Sequence, residues 1–163
     1  MILKNLNKSL LINISLIFLI FLLDRISKIY VIYLDKKNLN LEIFSSKFLN
    51  IHLIWNEGIA FGLLSFQKEN LYDILTAIIL LVILGIIFIL TKSKGAKKYC
   101  YVMILGGALG NFFDRLFYKA VPDFIDFHVG NFHWFIFNVA DIFITLGVFF
   151  MIIIELSNKK QKI

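Results

Sequence analysis

With 163 residues, 60% of them hydrophobic and 16% aromatic, the chain is richer in apolar side chains than a soluble domain, for which about 45–50% is usual. Its mean hydropathy of +0.83 places it in a membrane, and the net charge of +6 follows the loops rather than a nucleic-acid footprint, so no nucleic acid is expected. Cys100 is the one cysteine, which excludes an internal disulfide framework and any multi-cysteine metal site.

The first apolar run extends from about Ser9 to Leu34 and is interrupted by Asp24, Arg25 and Lys28. Lys4 and Lys8 precede it as in a secretory leader. No small-x-small cleavage site follows, however, and the apolar pattern resumes at Ile29, so a retained helix is expected. Asp24 and Lys28 stand four apart on one helical face, where a local ion pair easing burial competes with a functional role. Ser27 beside Lys28 suggests a serine–lysine nucleophile, but adjacent helical residues do not face each other.

The loop 35–70 is more than a linker. Leu41–Phe44 and Phe48–Trp55 show partial alternation with β-favouring residues, Asn56-Glu57-Gly58 supplies a turn, and Ile59–Leu64 is apolar again. Two readings stand: a small sheet lying at the outer interface, or an amphipathic loop that caps the helices.

The second run is Leu71–Leu90 and the third about Tyr99–Leu116. Gly106 and Gly110 make a flat strip in the third where another backbone can approach. Asn111 and Arg115 share a face one turn apart. Arg115 cannot shed its charge, so these two are expected to hold a catalytic loop or a substrate carbonyl. The fourth run, about Phe135–Leu156, contains Asp141, and an ionisable residue inside a span is a functional-site hypothesis by default.

Lysines set the orientation. Lys4, Lys8, Lys92, Lys94, Lys97, Lys98, Lys159, Lys160 and Lys162 flank the runs on one side without acidic companions, whereas the other loops mix both signs. Both termini are therefore expected in the cytoplasm. Asp24, Asp114 and Asp141 each lie about 22 Å from the cytoplasmic end of their helices. In a hydrocarbon core of about 30 Å that level is the outer leaflet.

Three helices bringing polar groups to one depth describe a site. Paired carboxylates can share a proton, one activating water while the other polarises an amide carbonyl. Asp141 and Asp123, in the loop before the fourth helix, suit that chemistry. Asp126, three residues on, satisfies the same spacing, and an ion pair of Asp141 with Arg115 or Lys28 is the plain alternative. His52, His128 and His133 lack HExxH spacing and cysteine companions, which argues against zinc. No phosphate-cradling GxxxxGK loop occurs, and no cofactor is expected. A transporter using the acids as an ion path, or a non-hydrolytic scaffold, is the rival class.

Taken in order, five stretches resemble lipoprotein signal peptidase (signal peptidase II), a bacterial membrane aspartic peptidase family. They are Asp24-Arg25-Ile26-Ser27-Lys28, Asn56-Glu57-Gly58-Ile59-Ala60-Phe61-Gly62, Gly106–Arg115, Val121-Pro122-Asp123-Phe124 and Phe137-Asn138-Val139-Ala140-Asp141. The resemblance implies an α-helical membrane protein of four transmembrane helices in one domain over residues 1–163. It places a small extracytoplasmic β-sheet, a cradle, between helices one and two. It implies a catalytic pair, Asp123 and Asp141, with Asp24, Lys28, Asn56, Gly58, Asn111, Arg115 and Asn138 in support or substrate contact; with the histidine spacing against zinc, no metal is expected. The implied substrate is a diacylglyceryl-modified prolipoprotein, cut before its lipidated cysteine in the cytoplasmic (inner) membrane near the outer face, with membrane lipid as surroundings. A monomer is the default. Arg25, where the family often has glutamine, and Pro122 depart from the pattern.

Overall fold

The computed structural model describes residues 2–37, 43–58 and 69–160. Leu41-Glu42 and the apolar run Ile59–Leu64 lie outside them. Four helices and four strands follow in the order α1 (Ile2–Lys37), β1 (Phe44–Ser45), β2 (Leu49–Asn56), α2 (Glu69–Lys92), α3 (Ala96–Tyr118), β3 (Val121–Val129), β4 (Phe132–Phe137) and α4 (Val139–Lys160).

Three helical stretches, Lys8–Lys37, Tyr72–Lys92 and Val139–Asn158, are long and apolar enough to cross a membrane. Their outer faces carry Leu11, Phe18, Leu81, Phe88 and Phe149, all more than half exposed. The inside mixes apolar with charged side chains: Ala140 and Val102 are buried, and so are Asp24, Asp114, Asp126 and Asn138 at 0% exposed and Lys28 at 1%. α3 carries Lys97, Lys98, Asp114 and Arg115 and is not among these three stretches. It packs against α1, α2 and α4, so its polar residues meet protein.

Between helices in lipid there is little hydrophobic drive, and close packing has to supply the attraction. α3 provides it with glycines. A Cβ on Gly106 would lie 2.8 Å from the Ile20 Cβ of α1, and one on Gly110 would lie 2.5 Å from Asp24 Oδ2. Both therefore face α1, the single strip their spacing predicts. Gly107 faces the other way, where a Cβ would strike the Ala140 carbonyl of α4.

The strands form one antiparallel sheet in the order β1-β2-β3-β4. Here the structure corrects the sequence reading in two ways. The sheet is not confined to the connection between the first two helices, since β3 and β4 come from the connection between α3 and α4. The segment Phe132–Phe137 is likewise a strand, so α4 begins at Val139 and not near Phe135. Lys119 ends α3 in the left-handed conformation, φ 55°, and turns the chain into β3. Phe127, Phe132 and Trp134 leave the sheet with exposed aromatic surface, the composition favoured at a membrane–water boundary.

Candidate active site

The first turn of α4 positions Asp141. Asn138 precedes the helix, and its Oδ1 accepts the Asp141 N–H at 3.2 Å. The Asn138 N–H in return donates to Asp141 Oδ2 at 3.1 Å. This is a capping box, in which two helix-end donors are satisfied reciprocally. The remaining Asp141 oxygen, Oδ1, accepts Asn111 Nδ2 of α3 at 2.8 Å.

Asp123 sits on β3. Its Oδ1 accepts Asn138 Nδ2 at 2.6 Å and its Oδ2 accepts Asn56 Nδ2, at the end of β2, at 2.8 Å. Asn138 thus touches both carboxylates, Asp123 with its side-chain amide and Asp141 with its backbone. Burial, and after it the charge of Asp141, push the Asp123 carboxyl up to about 6 from its ordinary 3.8, against the pull of the two asparagine donors. A group with that value is divided between acid and anion near neutrality, as proton transfer requires.

Strand parity separates Asp123 from its rival. Successive β residues point to opposite faces, so Asp126, three along, turns away from Asp123. It is hydrogen-bonded instead to His133 Nδ1, at 2.8 and 3.0 Å. The ion pair considered for Asp141 is not found among the described residues: Lys28 pairs with Asp24 at 2.9 Å and Asp114 at 2.6 Å.

The supporting residues form a connected chain. Asn56 Oδ1 accepts the Gly58 N–H at 2.9 Å, the Gly58 carbonyl accepts Arg115 Nη2 at 3.0 Å, and Arg115 Nη1 reaches the Asn111 carbonyl at 3.3 Å. Arg115 therefore places its two terminal nitrogens on backbone carbonyls, while its Nε is buried without a partner. Lys28 Nζ donates to Asn111 Oδ1 at 2.8 Å, fixing which end of that amide faces Asp141. Asp24 Oδ1 accepts the Ala140 N–H at 3.0 Å, tying α1 to the N-terminus of α4. All nine residues singled out in the sequence are linked in this way.

Sequence reasoning passed over the pairing of Arg25 with Asp114. Arg25 holds Asp114 through two nitrogens, at 2.5 and 2.7 Å, and Asp24 at 2.7 Å. With Lys28 they make a buried set of two cations and two anions. The departure at residue 25 is thus neutralised within helices α1 and α3.

Beside Asp141 opens a cavity of about 560 Å³. Asn56, Asn111, Arg115 and Asp141 line its polar part, while Ile79, Val121, Phe135 and Ile142 are among its apolar walls.

Lipid-facing helices enclosing buried carboxylates and a largely apolar cavity define a membrane-embedded enzyme. Residues 16–157 match the family model described as signal peptidase (SPase) II. The chain is 48% identical to the lipoprotein signal peptidase of Pelagibacter ubique (strain HTCC1062), over 94% of this chain and 93% of that one. It is 38% identical to the lipoprotein signal peptidase of Anaplasma phagocytophilum (strain HZ), over 92% and 95%. A bacterial membrane enzyme solved by the in meso method at 2.3 Å matches with a TM-score of 0.74 and 29% identity, over 93% of this chain and 91% of the other. A second, solved at 1.9 Å, matches with a TM-score of 0.62 and 31% identity, over 88% and 91%. The chain belongs to the signal peptidase II family. It is a membrane-embedded peptidase, and a hydrolase by that membership.

Proposed function

We propose that the chain is an aspartic endopeptidase whose catalytic pair is Asp123 and Asp141. One observation carries the proposal: Asn138 holds both carboxylates, and Asp123 beside Asp141 is pushed up to about 6. Two acids so arranged ionise one at a time. The ionised carboxylate takes a proton from water as the water oxygen attacks the scissile carbonyl carbon. The protonated partner donates to the carbonyl oxygen, giving a neutral tetrahedral diol. Collapse expels the amine, which takes a proton from one carboxyl while a diol hydroxyl returns a proton to the other carboxylate, so the pair is restored and no covalent acyl-enzyme forms.

The substrate is a prolipoprotein carrying a diacylglyceryl group on the cysteine just after the scissile bond. The naming of the relatives in Pelagibacter and Anaplasma supports lipoprotein as the substrate class. The cavity's apolar walls accept the signal segment, and the exposed aromatics of the sheet accompany the lipid chains at the outer interface. α3 is the fourth span, shielded from lipid by its neighbours, so that four crossings leave both termini in the cytoplasm. The lysine distribution supports that orientation in the bacterial inner membrane. The enzyme acts as a monomer.

The test is cleavage of a diacylated lipobox peptide by purified protein in detergent or bilayer. Asp123→Asn and Asp141→Asn each abolish the cut product while the protein still folds. Turnover surviving either substitution removes that aspartate from the reaction.

A further inference from the structure

On the sheet face opposite Asp123, Asp126, His128 and His133 converge. One ligand atom from each lies within 4.8 Å of those of the other two. Linear spacing argued against a metal here, because it could not register what the hairpin does. Asp126 and His128 are two apart on β3 and share a face. Cα pairing places Ile136 opposite Asp126, Phe135 opposite Phe127 and His133 opposite His128. One residue on β3 is thus matched by two on β4 at Trp134, a bulge. A bulge re-aims the side chains beyond it. In a regular register His133 would share a face with Phe135; the bulge turns it onto the face of Asp126 and His128.

The chemistry of the three fits a cation. Asp126 is 0% exposed, and a buried carboxylate needs compensation. Its partner among the described residues is the ring of His133, half exposed at the surface. His128 Nδ1 is buried without a hydrogen-bond partner, and the two imidazoles stack with centroids 5.0 Å apart. Two imidazole nitrogens and one carboxylate oxygen form a donor set suited to zinc and its neighbours.

We propose that Asp126, His128 and His133 bind one divalent transition-metal ion, with zinc the best fit, and so clip the β3–β4 hairpin. Binding replaces the His133–Asp126 hydrogen bond by two bonds to the ion, and any proton on the ligating nitrogens is released to solvent. Three protein ligands leave a position for water. The proposal stands apart from the peptidase reading, since these side chains lie on the other face from Asp123.

The test uses the full chain in detergent, purified without a polyhistidine tag. Cobalt(II) is titrated in and its visible ligand-field absorption recorded, then zinc is added in competition. The expected result is a band saturating at one equivalent and displaced by zinc, with zinc raising Tm by about 2–4 °C or more. His133→Asn, whose side-chain amide keeps a donor for Asp126, and His128→Asn each abolish the band. His52→Asn and Cys100→Ser, the other histidine and the lone thiol, leave it intact. Absence of a band in the unaltered protein overturns the site. So does a band that survives both hairpin substitutions, or one lost with His52 or Cys100.

Discussion

Asn138 and Asp141 cap each other across the first turn of α4, N–H to side-chain oxygen in both directions, at 3.2 and 3.1 Å. The same asparagine spends its amide on Asp123 at 2.6 Å. One residue therefore starts the helix and sets the spacing of two carboxylates, and those roles are separable.

Asn138→Ala removes both. Loss of the cap costs about 1 kcal/mol of stability. Loss of the charge-assisted bond to Asp123, about 1.5–3 kcal/mol, lowers turnover by about 10–100-fold. Asn138→Ser retains a capping oxygen but cannot reach Asp123, so it recovers most of the stability and little of the activity. Tm and peptide cleavage measured on both variants check this. Equal recovery of the two quantities by serine would show that the amide bond to Asp123 is idle.

Asp123 makes stability fall as pH rises. Its folded value of about 6 exceeds the ordinary 3.8, so between those values the folded state binds more protons than the unfolded one. Stability then decreases with rising pH through that window, by at most about 3 kcal/mol at 1.36 kcal/mol per unit. Asp123→Asn lacks the effect, although its amide meets two asparagine donors at a cost that does not depend on pH. The Tm of the variant minus that of the unaltered protein should climb from about pH 4 to about pH 7 and then level. A flat difference contradicts the raised value. In kcat/KM, which reports the free enzyme, the descending alkaline limb is expected near 6 or above.

The buried set Asp24, Arg25, Lys28 and Asp114 is neutral, and its response to mutation depends on that balance. Asp114→Asn leaves two cations over one anion, and breaking a buried pair costs about 3–5 kcal/mol. Adding Lys28→Met restores neutrality, with Arg25 and Asp24 still 2.7 Å apart. The double variant should be more stable than Asp114→Asn alone, with a coupling energy of about 0.5–3 kcal/mol. It should still cleave poorly, because Lys28 also orients Asn111. If the double variant melts no higher, charge balance is not what holds α1 to α3.

The four helical segments were legible as apolar runs, and the nine residues that hydrogen bonds and ion pairs now link stood out through the order of their motifs. Phe132–Phe137 was not. Its apolar letters merge with those of α4, and length alone does not divide a strand from the helix it enters. The signal that could have divided them was Asn138-Val139-Ala140-Asp141, a capping pattern at the helix start. Reading Val121–Val129 as a loop also left Asp123 and Asp126 equivalent, whereas a strand sends them to opposite faces. The bulge at Trp134 leaves no mark in the sequence, so the meeting of His128 and His133 was beyond spacing arguments. Arg25 could be seen as a departure, but its partner on α3 depends on how closely the helices pack.

That closeness can be tested with two glycines of opposite surroundings. A Cβ on Gly107 would overlap the Ala140 carbonyl oxygen, and Ile144 Cγ1 would lie 2.8 Å away. The carbonyl is backbone and cannot swing aside, so Gly107→Ala must push α4 from α3. The movement stretches the Asn111–Asp141 bond, which spans those two helices at 2.8 Å. Cleavage should fall by at least about tenfold, as for loss of a bond worth about 1.5–3 kcal/mol, and Tm should fall with it. Around Gly85 of α2 a Cβ meets nothing within 4 Å. Gly85→Ala should therefore gain helix propensity, up to about 1 kcal/mol, and leave cleavage unchanged. Tm and turnover on the two single variants decide the matter, because helix propensity acts alike at both positions and only the contact with α4 differs. Were Gly107→Ala to behave like Gly85→Ala, the two carboxylates would not depend on close approach of α3 and α4.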